Sequence, residues 1–184
     1  GEAVRYGFRP KRTLVFGSWD AEEFGVIGST EWVEDHKLDL SKNAIAYLNL
    51  DATIAGPNFN AASSPSLKPF IRSILDDVND PIAGTSIRTQ LELKNNNESV
   101  FSLNQFDQNR EPFVINDLGG GTDYAAFFNF AGVPSMMFWY GGDYGVYHSI
   151  YDNFRWMTTF GDPNFLYHKN MTQVVLLTAV RLMQ

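Results

Sequence analysis

The apolar run Thr13-Leu14-Val15-Phe16 passes directly into the acidic turn Ser18-Trp19-Asp20-Ala21-Glu22-Glu23-Phe24-Gly25, and an apolar pattern of helical period begins behind it. A buried strand over about 12–19, handed to a helix through a turn, is the unit from which layered α/β domains are built. The carboxyl end of such a strand is where an open α/β sheet places its chemistry. Two consecutive glutamates leave the backbone in different directions, so one can hold a metal ion while the other handles a proton. The same residues also spell a helix N-terminus, with Asp20 as cap and Glu23 reaching back to it. Acidic groups suit the positive end of a helix dipole as well. Local pattern alone leaves both readings standing.

The chain on either side extends the alternation. Gly7 and Pro10 break any helix ahead of the first strand, so residues 1–11 read as the tail of an earlier element. Ile27, Trp32 and Val33 mark a helix from Phe24 to about Lys37, with Glu31, Glu34 and Asp35 on its wetter side. Asn43 to Asp51 reads as a second strand with Asp51 at its carboxyl end, and a short strand follows near Phe59–Ala62. Ser64 and Pro65 open a helix whose stripe is Leu67, Phe70, Ile71, Ile74, Leu75 and Val78. Residues 84–117 are polar and lack a sustained period, which reads as a long irregular segment. Gly119-Gly120-Gly121-Thr122-Asp123 opens a short helix closed by Gly132. Val133 to Tyr140 is a nearly all-apolar strand that Pro134 tolerates only near its start. A final helix from Asp162-Pro163 is apolar on most sides, as a sandwiched helix would be. The alternation points to a layered α/β fold, read as one domain over residues 1–184.

Charge and composition remove several functions. The net charge of −7 disfavours nucleic acid as a partner, and the densest basic run, Arg9-Pro10-Lys11-Arg12, merely leads into a strand. With no cysteine in the chain, disulfides and thiolate metal sites are excluded. No stretch approaches the ~20 continuous apolar residues of a membrane span. The sequons Asn97-Glu98-Ser99 and Asn170-Met171-Thr172 allow a secretory setting. The glycine run at 119–121 lacks the lysine of a phosphate loop, and no Gly-x-Ser-x-Gly elbow is present. What remains is Glu22 and Glu23 after one strand, Asp51 after the next and His148 after a third. Converging on one rim, they make a ligand set for zinc or a similar divalent ion. His36 and His168 read as solvated.

Several segments resemble a known family. Arg12 to Gly25, Gly28-Ser29-Thr30-Glu31-Trp32, Tyr47-Leu48-Asn49-Leu50-Asp51, Gly119 to Tyr124 and Tyr147-His148-Ser149-Ile150-Tyr151-Asp152 resemble the peptidase domain of glutamate carboxypeptidase II and its relatives. Those are di-zinc peptidases, and the transferrin receptor shares their domain. The resemblance implies an α/β fold of three αβα layers with a mixed sheet, and the activity of a zinc-dependent exopeptidase of carboxypeptidase or aminopeptidase type. In it Glu22 is the general base, Glu23 and His148 are ligands of one zinc, and Asp51 is a ligand of the other. Tyr147 stabilises the oxyanion. It further implies a substrate contact at Gly121, a structural calcium at Glu31 and Glu34, a homodimer, and an extracellular or lumenal location with a membrane anchor in the full-length protein.

The sequence also departs from that pattern. No His-x-Asp segment precedes Arg9, so three of the family's five protein ligands are present, and the chain reads as the carboxyl-terminal, N-terminally incomplete part of a peptidase domain, inactive alone. Where glutamate carboxypeptidase carries arginines, this strand carries Met137 and Trp139, so the substrate wall suits an apolar or aromatic residue. Two rival readings keep the fold and drop the catalysis. One is a receptor or scaffold domain, the other a calcium-stabilised interaction module.

Overall fold

Tyr47–Asn49 (β1), Asn58–Ser63 (β2) and Ser135–Gly141 (β3) form one mixed sheet in the order β1–β3–β2. The computed structural model describes residues 5–99 and 114–184, the side chains of 95–99 excepted. β1 runs parallel to β3 with Tyr47 opposite Ser135, and β2 runs antiparallel with Asn58 opposite Gly141. The central place of β3 follows from its composition, because a strand covered on both faces has no use for a polar side. Met136, Phe138 and Tyr140 are fully buried on one face, while Met137 and Trp139 are half-buried on the other.

Helices cover both faces. Ile27–Asn43 (α1) lies on one side, and Lys68–Asp77 (α2), Ile87–Ser99 (α3) and Leu166–Leu182 (α4) lie on the other. Ile71, Ile74 and Leu75 of α2, Ile87 of α3 and Val174 of α4 close over Met136, Phe138 and Tyr140 as one core. Val33 of α1 packs with Phe127 and Val133 as a second, joined by Trp19, Trp32 and Tyr47. Neighbouring β1 side chains serve opposite cores, Leu48 the first and Tyr47 the second, as strand alternation requires. The fold is thus the expected α/β arrangement of helix, mixed sheet and helix.

Four local expectations are corrected. Residues 12–19 form no strand: Val15 is 70% and Phe16 89% exposed, and the segment is tied down by Lys11 N–H to Met183 O at 2.9 Å. An apolar run becomes a strand only when it is paired along a sheet edge and covered, and although β1 is an edge strand, no backbone bond among the described residues joins this run to it. The polar stretch 84–117 contains α3, whose first turn is closed by Thr89 N–H donating to Ser86 Oγ at 3.1 Å. α4 is not sandwiched, since Leu176 on its outer side is 62% exposed. Ser64 does not cap a helix: its hydroxyl oxygen accepts from Ser135 N–H at 2.8 Å and so ties the chain to β3.

Candidate functional site

Glu22 and Glu23 sit on a single 3-10 turn, Glu22–Phe24, held between a left-handed Ala21 and a left-handed Gly25. The turn folds back on α1, where Gly28 N–H donates to Asp20 O at 3.1 Å. A Cβ at Gly28 would lie 2.3 Å from that oxygen, so only glycine allows the approach. The alternative reading of the motif as a capping box is not realised. Asp20 Oδ1 accepts from its neighbour Ala21 N–H at 2.8 Å, and no side chain caps the helix start.

Asp51 follows the end of β1, and Tyr147 and His148 lie in the turns after β3. The structure brings His148 onto Glu23, with Nε2 and Oε1 2.6 Å apart and the Tyr147 ring stacked on the imidazole at 3.8 Å. Ala21 (φ 57°), Ala52 (φ 43°) and His148 (φ 57°) are all left-handed without being glycine. Each carries or adjoins one of the candidate groups. Backbone strain of this kind, of order 1–3 kcal/mol per residue, persists only where surrounding structure enforces it.

The electrostatics of the site are acidic. Partial burial raises the Glu22 carboxyl, and the charges of Asp51, Glu23 and Asp123 push it further up, against a lowering contribution from His148. Tyr147 is raised by burial and then by Glu23, Asp51 and Glu22, so its phenol keeps its proton. Asp123 joins this cluster unannounced by the sequence, and its buried Oδ1 has no hydrogen-bond partner among the described residues. A cavity of about 700 Å³ opens beside the cluster, bordered by Glu23, Asp51, Tyr147, His148, Asp152 and His168, and among the described residues no lysine or arginine lies on its wall.

Anionic oxygens, an imidazole and an orphaned carboxylate oxygen form a donor set that fits a divalent cation. Among the described residues, however, no three His, Cys, Asp or Glu side chains converge as a ligand group. As the chain stands, His148 and Glu23 are paired with each other across 2.6 Å.

The other expected site residues lie elsewhere. Glu31 and Glu34 are exposed on α1. Gly121 is exposed and off the cavity wall, as are the half-buried Met137 and Trp139 on the far face of β3. His168, expected to be solvated, borders the cavity, and its Nδ1 lies 2.8 Å from the buried Asp162. The sequence signal for it is Asp162 itself, six residues ahead of it and just before α4. Asn170 is 4% exposed and bonded to Tyr140 and Asn79, so that sequon cannot carry a glycan in the folded chain. Asn97 falls outside the described side chains.

A mixed sheet between helices, with acidic groups and an imidazole gathered past its strand ends, defines an α/β domain with one acid-rich site. The chain belongs to Peptidase family M28, whose profile matches residues 2–161. It is 41% identical over 177 residues to "Probable glutamate carboxypeptidase LAMP1" of Arabidopsis thaliana, covering 96% of this chain and 24% of that protein. It is 36% identical to "Probable glutamate carboxypeptidase VP8" of Zea mays, covering 99% of this chain and 24% of that protein. Against "Aminopeptidase NAALADL1" of Mus musculus the identity is 32%, covering 95% of this chain and 24% of that protein. The chain therefore spans about a quarter of the length of these curated relatives. Among solved structures, an aminopeptidase from Aneurinibacillus sp. strain AM-1 aligns with TM-score 0.46 and 15% identity, covering 88% of this chain and 30% of that one.

Proposed function

We propose that the protein carrying this chain is a zinc-dependent exopeptidase, with Glu22 as general base, Tyr147 as oxyanion donor, and Glu23, Asp51 and His148 as the ligands this chain supplies to a two-zinc centre. The observation that carries the reading is the His148–Glu23 contact beside Glu22, Asp51 and Tyr147 at the mouth of one acidic cavity. Zinc, when bound, would polarise the scissile carbonyl and lower the pKa of water.

The chain's own groups divide the remaining work. Glu22, raised by partial burial and then by its acidic neighbours, is fit to take up a proton and later release it to the leaving amine. Tyr147, held protonated, can donate to the developing oxyanion. Among the described residues the cavity wall offers no guanidinium or ammonium to an acidic side chain, so a neutral, apolar residue is the better occupant. Residues 1–184 act as one folded unit, and with three ligands for two ions they are inactive by themselves. An extracellular or lumenal setting, a homodimer and a calcium ion at Glu31 and Glu34 complete the proposal by resemblance. Among the described residues no helix is long and apolar enough to cross a membrane.

Glu22→Gln in the full-length protein tests the assignment. Peptide hydrolysis is expected to fall about 10²–10⁴-fold, the usual contribution of a general base, with zinc still bound. Turnover near the parental rate refutes the role given to Glu22. The second reading, a non-catalytic receptor or scaffold domain, is favoured by the closed His148–Glu23 pair and the lack of a three-ligand group among the described residues. Parental protein that binds no zinc and cleaves no peptide decides for it.

A further inference from the structure

Behind the acidic cluster runs a chain of hydrogen bonds that the reaction does not itself require. Trp19 Nε1–H donates to the Tyr47 hydroxyl at 3.0 Å, and the Tyr47 hydroxyl donates to Asn49 Oδ1 at 3.1 Å. Asn49 Nδ2–H then donates to Thr122 Oγ1 at 3.1 Å. Resting on the functional reading above, we propose that this chain is the device that positions the centre, with Tyr47 and Thr122 as positioning residues for Glu22, Glu23, Asp51 and Asp123.

The argument is first one of connectivity. Trp19 stands three residues ahead of Glu22, Asn49 two residues ahead of Asp51, and Thr122 next to Asp123. The four side chains therefore join the three separate segments that bear the carboxylates of the site. No other side-chain hydrogen bond among the described residues links those three segments. Two of the segments are strained at Ala21 and Ala52, and mutually repelling carboxylates push them apart. A strained, self-repelling arrangement needs support from outside, and this chain provides it.

The second argument is direction. An indole nitrogen can only donate. Burial holds the Tyr47 phenol at about 12, with a lowering contribution from the Trp19 bond and raising ones from Asp123 and Asp51, so it keeps its proton and donates onward. Asn49 must then accept with its oxygen and donate with its nitrogen, which fixes the amide orientation. Thr122 receives that bond and still has a hydroxyl proton to give, beside Asp123 with its unpartnered Oδ1. Asn49 is 2% and Thr122 4% exposed, and an apolar residue would fill either site without the desolvation cost of a polar group. Tyr47 is also fixed from its other side, its ring stacked on Phe127 at 3.9 Å.

The test measures zinc binding by calorimetry on metal-depleted full-length protein, alongside thermal midpoints and steady-state kinetics. Tyr47→Phe and Thr122→Val each remove one hydroxyl and little volume. Each is expected to weaken zinc binding about tenfold, the low end of the range for groups that support a metal centre from outside its ligands, and to lower kcat more than it raises KM. Thr122→Ser restores the hydroxyl and is expected to recover parental affinity. A role in packing alone would shift the thermal midpoint and leave the affinity of the folded protein unchanged. Variants within twofold of the parental affinity overturn the proposal, and so does a Thr122→Ser protein no better than Thr122→Val. Should Tyr47→Phe fail to fold, the contrast between the two Thr122 variants is decisive by itself. Parental protein that takes up no zinc ends the functional reading as well, which separates the two failures.

Discussion

Asp162 illustrates how one carboxylate organises the ground beside the cavity. It is 3% exposed and accepts backbone N–H bonds from Leu166 at 2.8 Å, from Tyr167 and His168 at 3.0 Å, and the His168 ring at 2.8 Å. Burial pushes its pKa up, but the His168 bond and the backbone donors outweigh that and leave it below the ordinary 3.8. A carboxyl lowered on folding contributes stability that is fully present above its unfolded pKa and lost as pH falls through the folded value. Asp162→Asn is therefore expected to destabilise the protein at neutral pH by about 1–3 kcal/mol, the scale of orphaned buried donors. Thermal unfolding followed from neutral pH into strong acid should show the difference from parental protein shrinking. A gap that stays constant throughout refutes the ionised cap. The same residues show what could be read without coordinates. Glu22, Glu23, Asp51 and His148 stand out because they follow apolar runs. Asp123 and Asp162 hide, because an aspartate at the start of a helix has an ordinary explanation as a cap.

At the scale of elements, legibility follows the strength of the apolar pattern. α2 announces itself through Ile71, Ile74 and Leu75, all fully buried, and β3 through an apolar run that only a central strand can use. α3 is hard to see in the sequence because, among its described side chains, the core contribution rests on Ile87 and Leu91, with an Arg88–Glu92 pair at 2.8 Å on its surface. The run at 12–19 misleads for the opposite reason: apolar content does not create a neighbouring strand. α4 is fixed by a polar device inside the core. Tyr140 O–H donates to Asn170 Oδ1 at 2.6 Å, and Asn170 Nδ2–H donates to Asn79 O at 2.7 Å. Tyr140→Phe leaves Asn170 Oδ1 unpaired in a dry site and is expected to lower stability by about 1–3 kcal/mol by denaturant unfolding. A loss under about 0.5 kcal/mol, ordinary for surface changes, would mean that apolar packing alone holds α4 to the sheet.

Across the whole molecule, the fold places groups together that repel one another and leaves them short of a counter-charge. Glu22 titrates above the ordinary 4.5 because it is partly desolvated and faces Asp51, Glu23 and Asp123, with His148 alone opposing. The folded chain then holds that proton more tightly than the unfolded chain does, so Glu22 lowers stability at neutral pH, and the penalty fades as pH falls below the raised value. Two consequences separate a built cation site from an accidental acidic patch. In metal-free protein, Glu22→Gln should raise stability by up to about 1 kcal/mol, the scale of a partly exposed charge pair. Zinc should then stabilise the parental protein and the variant alike, by about 2.7 kcal/mol at a hundredfold excess over the dissociation constant, because Glu22 holds the proton and its neighbours hold the ion. A variant that gains stability and no longer responds to zinc would make Glu22 a ligand. A parental protein indifferent to zinc would leave the carboxylates as mutual repulsion with no ion to relieve it, and the peptidase reading would fall with them.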